Sequence, residues 1–308
     1  MLLFAVRCLH THTHIDGLGL VNLLTRCTNP VPFFLILSGY GLYRSIAGGS
    51  GKSPWTRILR LYIHYWITLA FFVPIGAFVV GTQSYPGSFG TVMSNLTGWS
   101  TTYNGEVWFL FPYCILVLLS SRIFKLVNSW HWLLVFGVSG IIYFFSYLAI
   151  HLYGAVYLYN HMFAYMPVLV GSLLFPFCIG MLMAKYIDSD RLKTVFADRR
   201  LLGFSLLICL CLLRLCFRTM FFNPIYAAGF ILLFSSLPHL GITRNILAEF
   251  GRRSTSMWFI HTYFCYYLFH DFIYSFKYPV IIFLVLLAIS YIAAILIDAV
   301  RDALLRMT

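Results

Sequence analysis

Charge is what this sequence has least of. Asp and Glu together number nine in 308 residues, and charged side chains make up 10% of the chain, where soluble domains carry about a quarter. No stretch long enough to fold alone restores that balance, so an ordinary soluble globule is excluded. There is no Cys-x-x-Cys pair either. The eight cysteines, at 8, 27, 114, 178, 209, 211, 216 and 265, fall almost all within apolar runs, which reads as small packing residues and argues against a disulfide or thiolate–metal framework. Basic helices, zinc motifs and aromatic-basic sheet patterns are missing too, so the formal charge of +12 does not signal nucleic acid. No small-residue cleavage site follows the first apolar run, which is therefore read as a retained span and not as a signal peptide. Internal repeats, linkers and low-complexity tails are absent.

What is present is apolar: 61% hydrophobic residues, of which the aromatics contribute 19% of the chain. That is the composition of an integral membrane protein. Ten runs have the length and character of spans, over residues 1–19, 30–46, 58–81, 106–124, 132–153, 165–186, 201–217, 224–237, 256–274 and 278–300. The expected fold is all-α: a polytopic membrane helical bundle of about ten transmembrane helices, one membrane-embedded domain over residues 1–308. Sixteen of the 21 Lys and Arg fall in, or within three residues of, the connections after the even-numbered spans or beyond the last. The opposite connections, 82–105 and 154–164 among them, are rich in Tyr, Thr, Ser and Gly. The positive-inside rule then places both termini in the cytoplasm and accounts for the excess positive charge.

Ionisable groups within such runs are costly, so each is a functional candidate. The densest group is Arg7-Cys8-Leu9-His10-Thr11-His12-Thr13-His14. His10 and His14 share a helical face with Arg7, and His12 points elsewhere. Their alternate spacing suits a strand better than a helix for a shared ion, so no metal is expected. Ser38-Gly39-Tyr40-Gly41 interrupts the second span, either for close helix packing or for the approach of a ligand. Arg57 and Arg60 stand three apart as the third span begins. Paired guanidinium groups suit bidentate phosphate recognition, and the plainer alternative is snorkelling to the interface. Glu106 is the one acid near the outer end of the fourth span, where it would orient or deprotonate a histidine, bind a sugar hydroxyl, or cap the helix. Arg214 and Arg218 share a face of the seventh span against the charge trend, lining a polar cavity or snorkelling outward. His64 and His261 are read first as core histidines with satisfied hydrogen bonds. Gly48-Gly49-Ser50-Gly51-Lys52-Ser53 lacks the first glycine and the preceding strand of a phosphate-binding loop, and is read as a turn.

Taken in order, these pieces form a pattern. An apolar span with a histidine in its outer part comes first, followed by Phe33-Phe34-Leu35-Ile36-Leu37-Ser38-Gly39-Tyr40 and Arg57-x-x-Arg60. Trp108-Phe109-Leu110 comes next, and Gly251-Arg252-Arg253-Ser254 then leads into Phe259-Ile260-His261. The series resembles the acyltransferase 3 family, bacterial multi-span membrane acyltransferases, many of them O-acetyltransferases of surface polysaccharides. The resemblance covers nearly the whole chain. It implies transfer of an acyl group, usually acetyl, from cytoplasmic acyl-CoA to a hydroxyl of a cell-surface glycan or lipid-linked sugar at the inner (plasma) membrane. Acyl-CoA is then the donor substrate, with no bound cofactor, and the saccharide and membrane lipids are the other partners.

Carried over by position, His10 matches the family's essential first-span histidine, acting as general base or acyl carrier. His12 and His14 are alternative alignments. Glu106 is the second catalytic candidate. Arg57 and Arg60 match the paired arginines that would hold CoA phosphates, Ser38 and Gly39 would lie near the acyl path, and substrate contacts are expected at Trp108, Arg214 and His261. The family pattern also places an arginine eleven residues before the histidine, a position that from His10 precedes Met1. The nine residues before His10 make about 13 Å of helix, so a start upstream of Met1 is expected, Arg7 being an imperfect substitute. The alternative function is a transporter or flippase for a small molecule or lipid-linked sugar. Broken helices at the midplane and symmetry between halves would mark one, and the sequence shows neither clearly.

Overall fold

The computed structural model describes residues 27, 29–49, 53–187, 194, 199–217, 219–237 and 241–307. The first span with Arg7, His10, His12 and His14, the middle of the glycine-rich turn, and Arg218 lie outside the described residues. Among the described residues every regular element is helical, which lets a backbone in lipid satisfy itself without water. In chain order these are α1 (Pro30–Ala47), α2 (Pro54–Val79), α3 (Phe89–Thr97), a 3₁₀ turn (Gly105–Phe109) and α4 (Leu110–Ser129). Then come α5 (Trp132–Tyr153), a 3₁₀ turn (Leu158–Asn160), α6 (Met162–Tyr186), α7 (Arg200–Cys216) and α8 (Asn223–Ser236). The chain closes with α9 (Gly241–Thr262), a π turn (Tyr263–Tyr267), α10 (His270–Tyr274) and α11 (Pro279–Met307).

Among the described residues, five stretches are long and apolar enough to cross a membrane: Pro54–Val79, Gly105–Ser129, Trp132–Tyr153, Met162–Tyr186 and Pro279–Arg306. They coincide with the third to sixth and the tenth of the ten expected spans. The eighth, α8, is apolar but has 14 residues, and α7 has 17. α9 begins well before the expected ninth span and is polar over its first half.

Local chemistry sets the helix ends. The Asn29 side chain accepts from the Val31 amide at 3.3 Å ahead of a proline start to α1, satisfying one of the orphan donors of a first turn. Ser88 does the same for α3 through the Thr91 amide. α3 stops at Gly98, whose φ of +70° is open to glycine without strain.

The described residues fall into two compact units. One comprises residues 29–56 and 112–237. Within it α1 and α6 cross at mutual glycines: a Cβ on Gly39 would overlap the Phe177 carbonyl oxygen, and one on Gly180 would overlap that of Ile36. Small residues facing each other let two backbones touch, the usual device where lipid offers no hydrophobic drive to association. Ile36, Tyr143, Phe175, Ile179, Met183 and Ala227 form a buried cluster around that crossing.

The other unit comprises residues 57–111 and 241–307. Its connection after α2, expected from sequence on the outer side, runs back along α2. Gly76 makes room for the Tyr85 ring, which a Cβ there would meet at 2.6 Å. Lower on the same helix, Trp66 Nε1 donates to the Leu96 carbonyl at 2.9 Å, Tyr65 to that of Asn95 at 2.9 Å, and Tyr62 to that of Thr97 at 2.6 Å. The segment thus retraces α2 from Gly76 to Tyr62, about 21 Å at the usual rise. Irregular backbone at membrane depth holds only where protein satisfies it. Buried Asn95 supplies much of that, donating to the Thr91 carbonyl at 2.9 Å and to Thr102 Oγ1 at 2.8 Å, and accepting from the Tyr103 amide at 3.0 Å.

Candidate functional site

The returning segment delivers the Asn104-Gly105-Glu106-Val107-Trp108 stretch to α9. Asn104 is 1% exposed and is the joint. Its Nδ2 donates to the Phe259 carbonyl at 2.7 Å, and its Oδ1 accepts from Thr262 Oγ1 at 2.8 Å and from the Glu106 amide at 3.2 Å. A single amide therefore starts the 3₁₀ turn and fastens it to α9 just before that helix widens into the π turn. Such single-turn bulges are frequent at functional sites. Around this joint Trp258 Nε1 donates to the Glu106 carbonyl at 3.2 Å, and the Trp258 ring stacks on Phe109 with centroids 4.5 Å apart. The Tyr267 hydroxyl accepts from the Gly105 amide at 2.9 Å. Asn104→Ala would leave three buried polar groups short of a partner. It is expected to lower stability by about 2–3 kcal/mol, read as a depressed melting temperature of the purified protein.

The expected site residues divide between the units. Glu106 and Trp108 are half-buried on the 3₁₀ turn, Trp108 packing edge-on to Phe109. His261 is buried on α9 beside the Asn104 joint. Its Nδ1 faces the carbonyls of Met257 at 3.1 Å and Trp258 at 3.0 Å. Carbonyls only accept, so in the neutral ring Nδ1 carries the proton and Nε2 is the accepting nitrogen. The reading of His261 as a hydrogen-bonded core histidine accounts for its Nδ1. Arg57 and Arg60 lie in the same unit on the first turns of α2, half-buried and exposed respectively.

Ser38, Gly39 and Arg214 belong to the other unit. The Ser38 hydroxyl is 2.7 Å from that of Tyr113, and Gly39 faces the Phe177 carbonyl, which accounts for this glycine by helix packing. Arg214 is 4% exposed. It closes the α7–α8 turn, donating from Nε to Asn223 Oδ1 at 2.8 Å and from Nη1 to the Phe217 carbonyl at 2.7 Å.

The arginines before His261 are paired. Arg253 Nε donates to Glu249 Oε1 at 2.7 Å, Arg252 bonds the other oxygen of that carboxylate, and the Tyr291 hydroxyl donates to Oε1 at 3.0 Å. The Arg253 bond first, then that of Tyr291, hold the Glu249 carboxyl below its ordinary pKa. With the folded value lowered, these bonds favour the folded chain at neutral pH, and the contribution is lost only as pH falls through that lowered value. Among the described residues no group of His, Cys, Asp and Glu is arranged to hold a metal ion.

Sequence reading missed Asn95, Asn104, Ser256 and Asp298. A signal existed for one of them: Asp298 is an acid inside the last apolar run, and such a residue is a functional candidate by default.

Comparison with curated proteins and with solved structures returns no match. A family model does match, that of the acyltransferase domain, over residues 1–299. The match takes in the Arg57-x-x-Arg60 pair, the Glu106–Trp108 turn and the α9 segment ending at His261. With five apolar helices long enough to span a membrane among the described residues, the chain belongs to the acyltransferase 3 family and is a membrane acyltransferase.

Proposed function

We propose that the protein carries an acetyl group from acetyl-CoA, at the cytoplasmic face of the inner membrane, to a hydroxyl of a cell-surface glycan or lipid-linked sugar. One observation carries the reading: Arg57 and Arg60 share a helical face one turn apart at the start of an apolar helix, in the same unit as Glu106, Trp108 and His261. The two guanidinium groups hold the CoA phosphates. The His10 imidazole takes the proton of the acceptor hydroxyl as its oxygen attacks the thioester carbonyl. The C–O bond forms, the C–S bond breaks, and the proton passes on to the leaving thiolate. In the alternative order the imidazole nitrogen attacks first, and the acyl-imidazole then yields its acyl group to the hydroxyl. Glu106 orients the imidazole or the hydroxyl, and Trp108 and His261 contact the sugar. Ser38, Gly39 and Arg214, engaged within their own unit, are not drawn upon.

The test is acetyl-CoA consumption by membranes carrying the chain, with cell-envelope glycan as acceptor. His10→Ala is expected to lose about 10³-fold in turnover. Turnover indifferent to His10 would move the base to His12 or His14. A chain that neither consumes acetyl-CoA nor is stabilised by it would favour the transport reading.

A further inference from the structure

His64 of α2, Ser256 of α9 and Asp298 of α11 meet in a buried knot, 4%, 1% and 6% exposed. Ser256 Oγ is 2.5 Å from Asp298 Oδ1 and 2.9 Å from His64 Nε2. A hydroxyl has one proton and a carboxylate only accepts. Ser256 therefore donates to Asp298, and His64 donates from Nε2 to the serine oxygen. Two arginines complete the carboxylate's shell: Arg301 Nη1 on Oδ1 at 2.8 Å and Arg253 Nη1 on Oδ2 at 3.1 Å. This is not the order of a nucleophilic triad, where the imidazole stands between acid and hydroxyl. Here the hydroxyl stands in the middle and the imidazole is a donor, 3.7 Å from the carboxylate, so the knot holds helices together and has no activated oxygen.

What it holds is informative. His64 lies four residues after Arg60 and seven after Arg57, on one helical face. Before His64, only Ile58 of α2 is buried, while Trp55, Thr56, Leu59 and Arg60 are exposed. The rotation of this thinly packed end about its axis is therefore set by the bond from His64 on one side and by those of Tyr62, Tyr65 and Trp66 to the returning segment on the other. We infer that Asp298, acting through Ser256 and His64, is a positioning residue for the donor site: it fixes the direction in which Arg57 and Arg60 present their guanidinium groups to the phosphates of acyl-CoA. The inference rests on the reading of those arginines as the phosphate site. A guanidinium about 9 Å from the helix axis moves by about 3 Å when the helix turns by about 20°, enough to break a bidentate contact.

The experiment measures the Kd for CoA of the purified full chain, and kcat for acetyl-CoA consumption with envelope glycan, in Ser256→Ala, Asp298→Asn, His64→Gln and His64→Leu. Ser256→Ala, Asp298→Asn and His64→Leu are expected to raise Kd about tenfold or more with kcat at saturation within about threefold. His64→Gln, whose amide replaces the Nε2 donor, is expected to stay near the parent value. If Asp298→Asn, which removes one partner from each of two arginines, does not fold, the Ser256 and His64 variants still decide. Unchanged Kd, a fall in kcat alone, or glutamine and leucine behaving alike would overturn the inference. Arg57→Ala/Arg60→Ala, run alongside, separates the two levels. If it leaves Kd unchanged, the phosphate reading fails and the positioning role with it. If it raises Kd while the knot variants do not, only the positioning role fails.

Discussion

Replacing Arg57 and Arg60 together by alanine is expected to raise the dissociation constant for acetyl-CoA by about 10²- to 10⁴-fold. The range follows from about 1.5–3 kcal/mol for each charged hydrogen-bonding group removed from a phosphate and about 1.4 kcal/mol per factor of ten. Arg60 is exposed and Arg57 half-buried. Solvent and salt therefore screen Arg60 more, and the single Arg57 variant should show the larger loss. Lysine at both positions keeps the charge but loses the planar fork, so it should recover part of the affinity and not all of it. Isothermal titration with CoA, repeated with CoA lacking its 3′-phosphate, is the check. Equal affinity of parent and double variant would remove the phosphate assignment.

Gly180→Leu is expected to prevent the docking of α1 on α6. Even the first side-chain carbon would overlap the Ile36 carbonyl oxygen, and a backbone oxygen cannot swing aside as a side-chain tip can. Overpacking of side chains typically costs about 1–3 kcal/mol. Here two helices must separate around a buried cluster, so about 3 kcal/mol or more is expected, with loss of monodisperse protein on detergent extraction. Gly39→Leu meets Phe177 in the same way and should give the same result. The two substitutions combined should be less than additive, because either one already opens the crossing. Gly137→Ala is the control: nothing lies within 4 Å of a Cβ there, and its effect should stay within about 0.5 kcal/mol. A stable, well-behaved Gly180→Leu protein would refute the crossing.

Hydropathy made the helical class and five of the spans legible, because a lipid-facing helix announces itself residue by residue in its own sequence. Gly39 was legible only as a choice between packing and ligand approach; what decides it is the Phe177 carbonyl, 138 residues further on. The connection over 82–105 reads from sequence only as one rich in Tyr, Thr, Ser and Gly on the side opposite the basic connections. Its polar groups serve to satisfy a segment folded back on α2, and composition alone does not reveal that. Asn104 is one asparagine among several until Phe259 and Thr262 are placed beside it. The knot of His64, Ser256 and Asp298 spans three helices, so no local spacing encodes it. Arg57 and Arg60 were legible as a pair from their spacing alone, but not the histidine one turn on as what steadies them.

The distance along the chain between partners also sets an order of assembly. Asn104 must wait for Phe259, 155 residues later, and His64 for Ser256, 192 residues later. At about 5–20 residues per second, the returning segment and its 3₁₀ turn spend about 8–30 s on the ribosome before α9 exists. During that interval all the partners described for the α1–α6 crossing have already been made. The unit holding Arg57, Glu106 and His261 is thus the later to close. A chain that stalls before α9 would leave a packed helical remnant in the membrane with the 3₁₀ turn unfastened and Asn104 without its partners on α9.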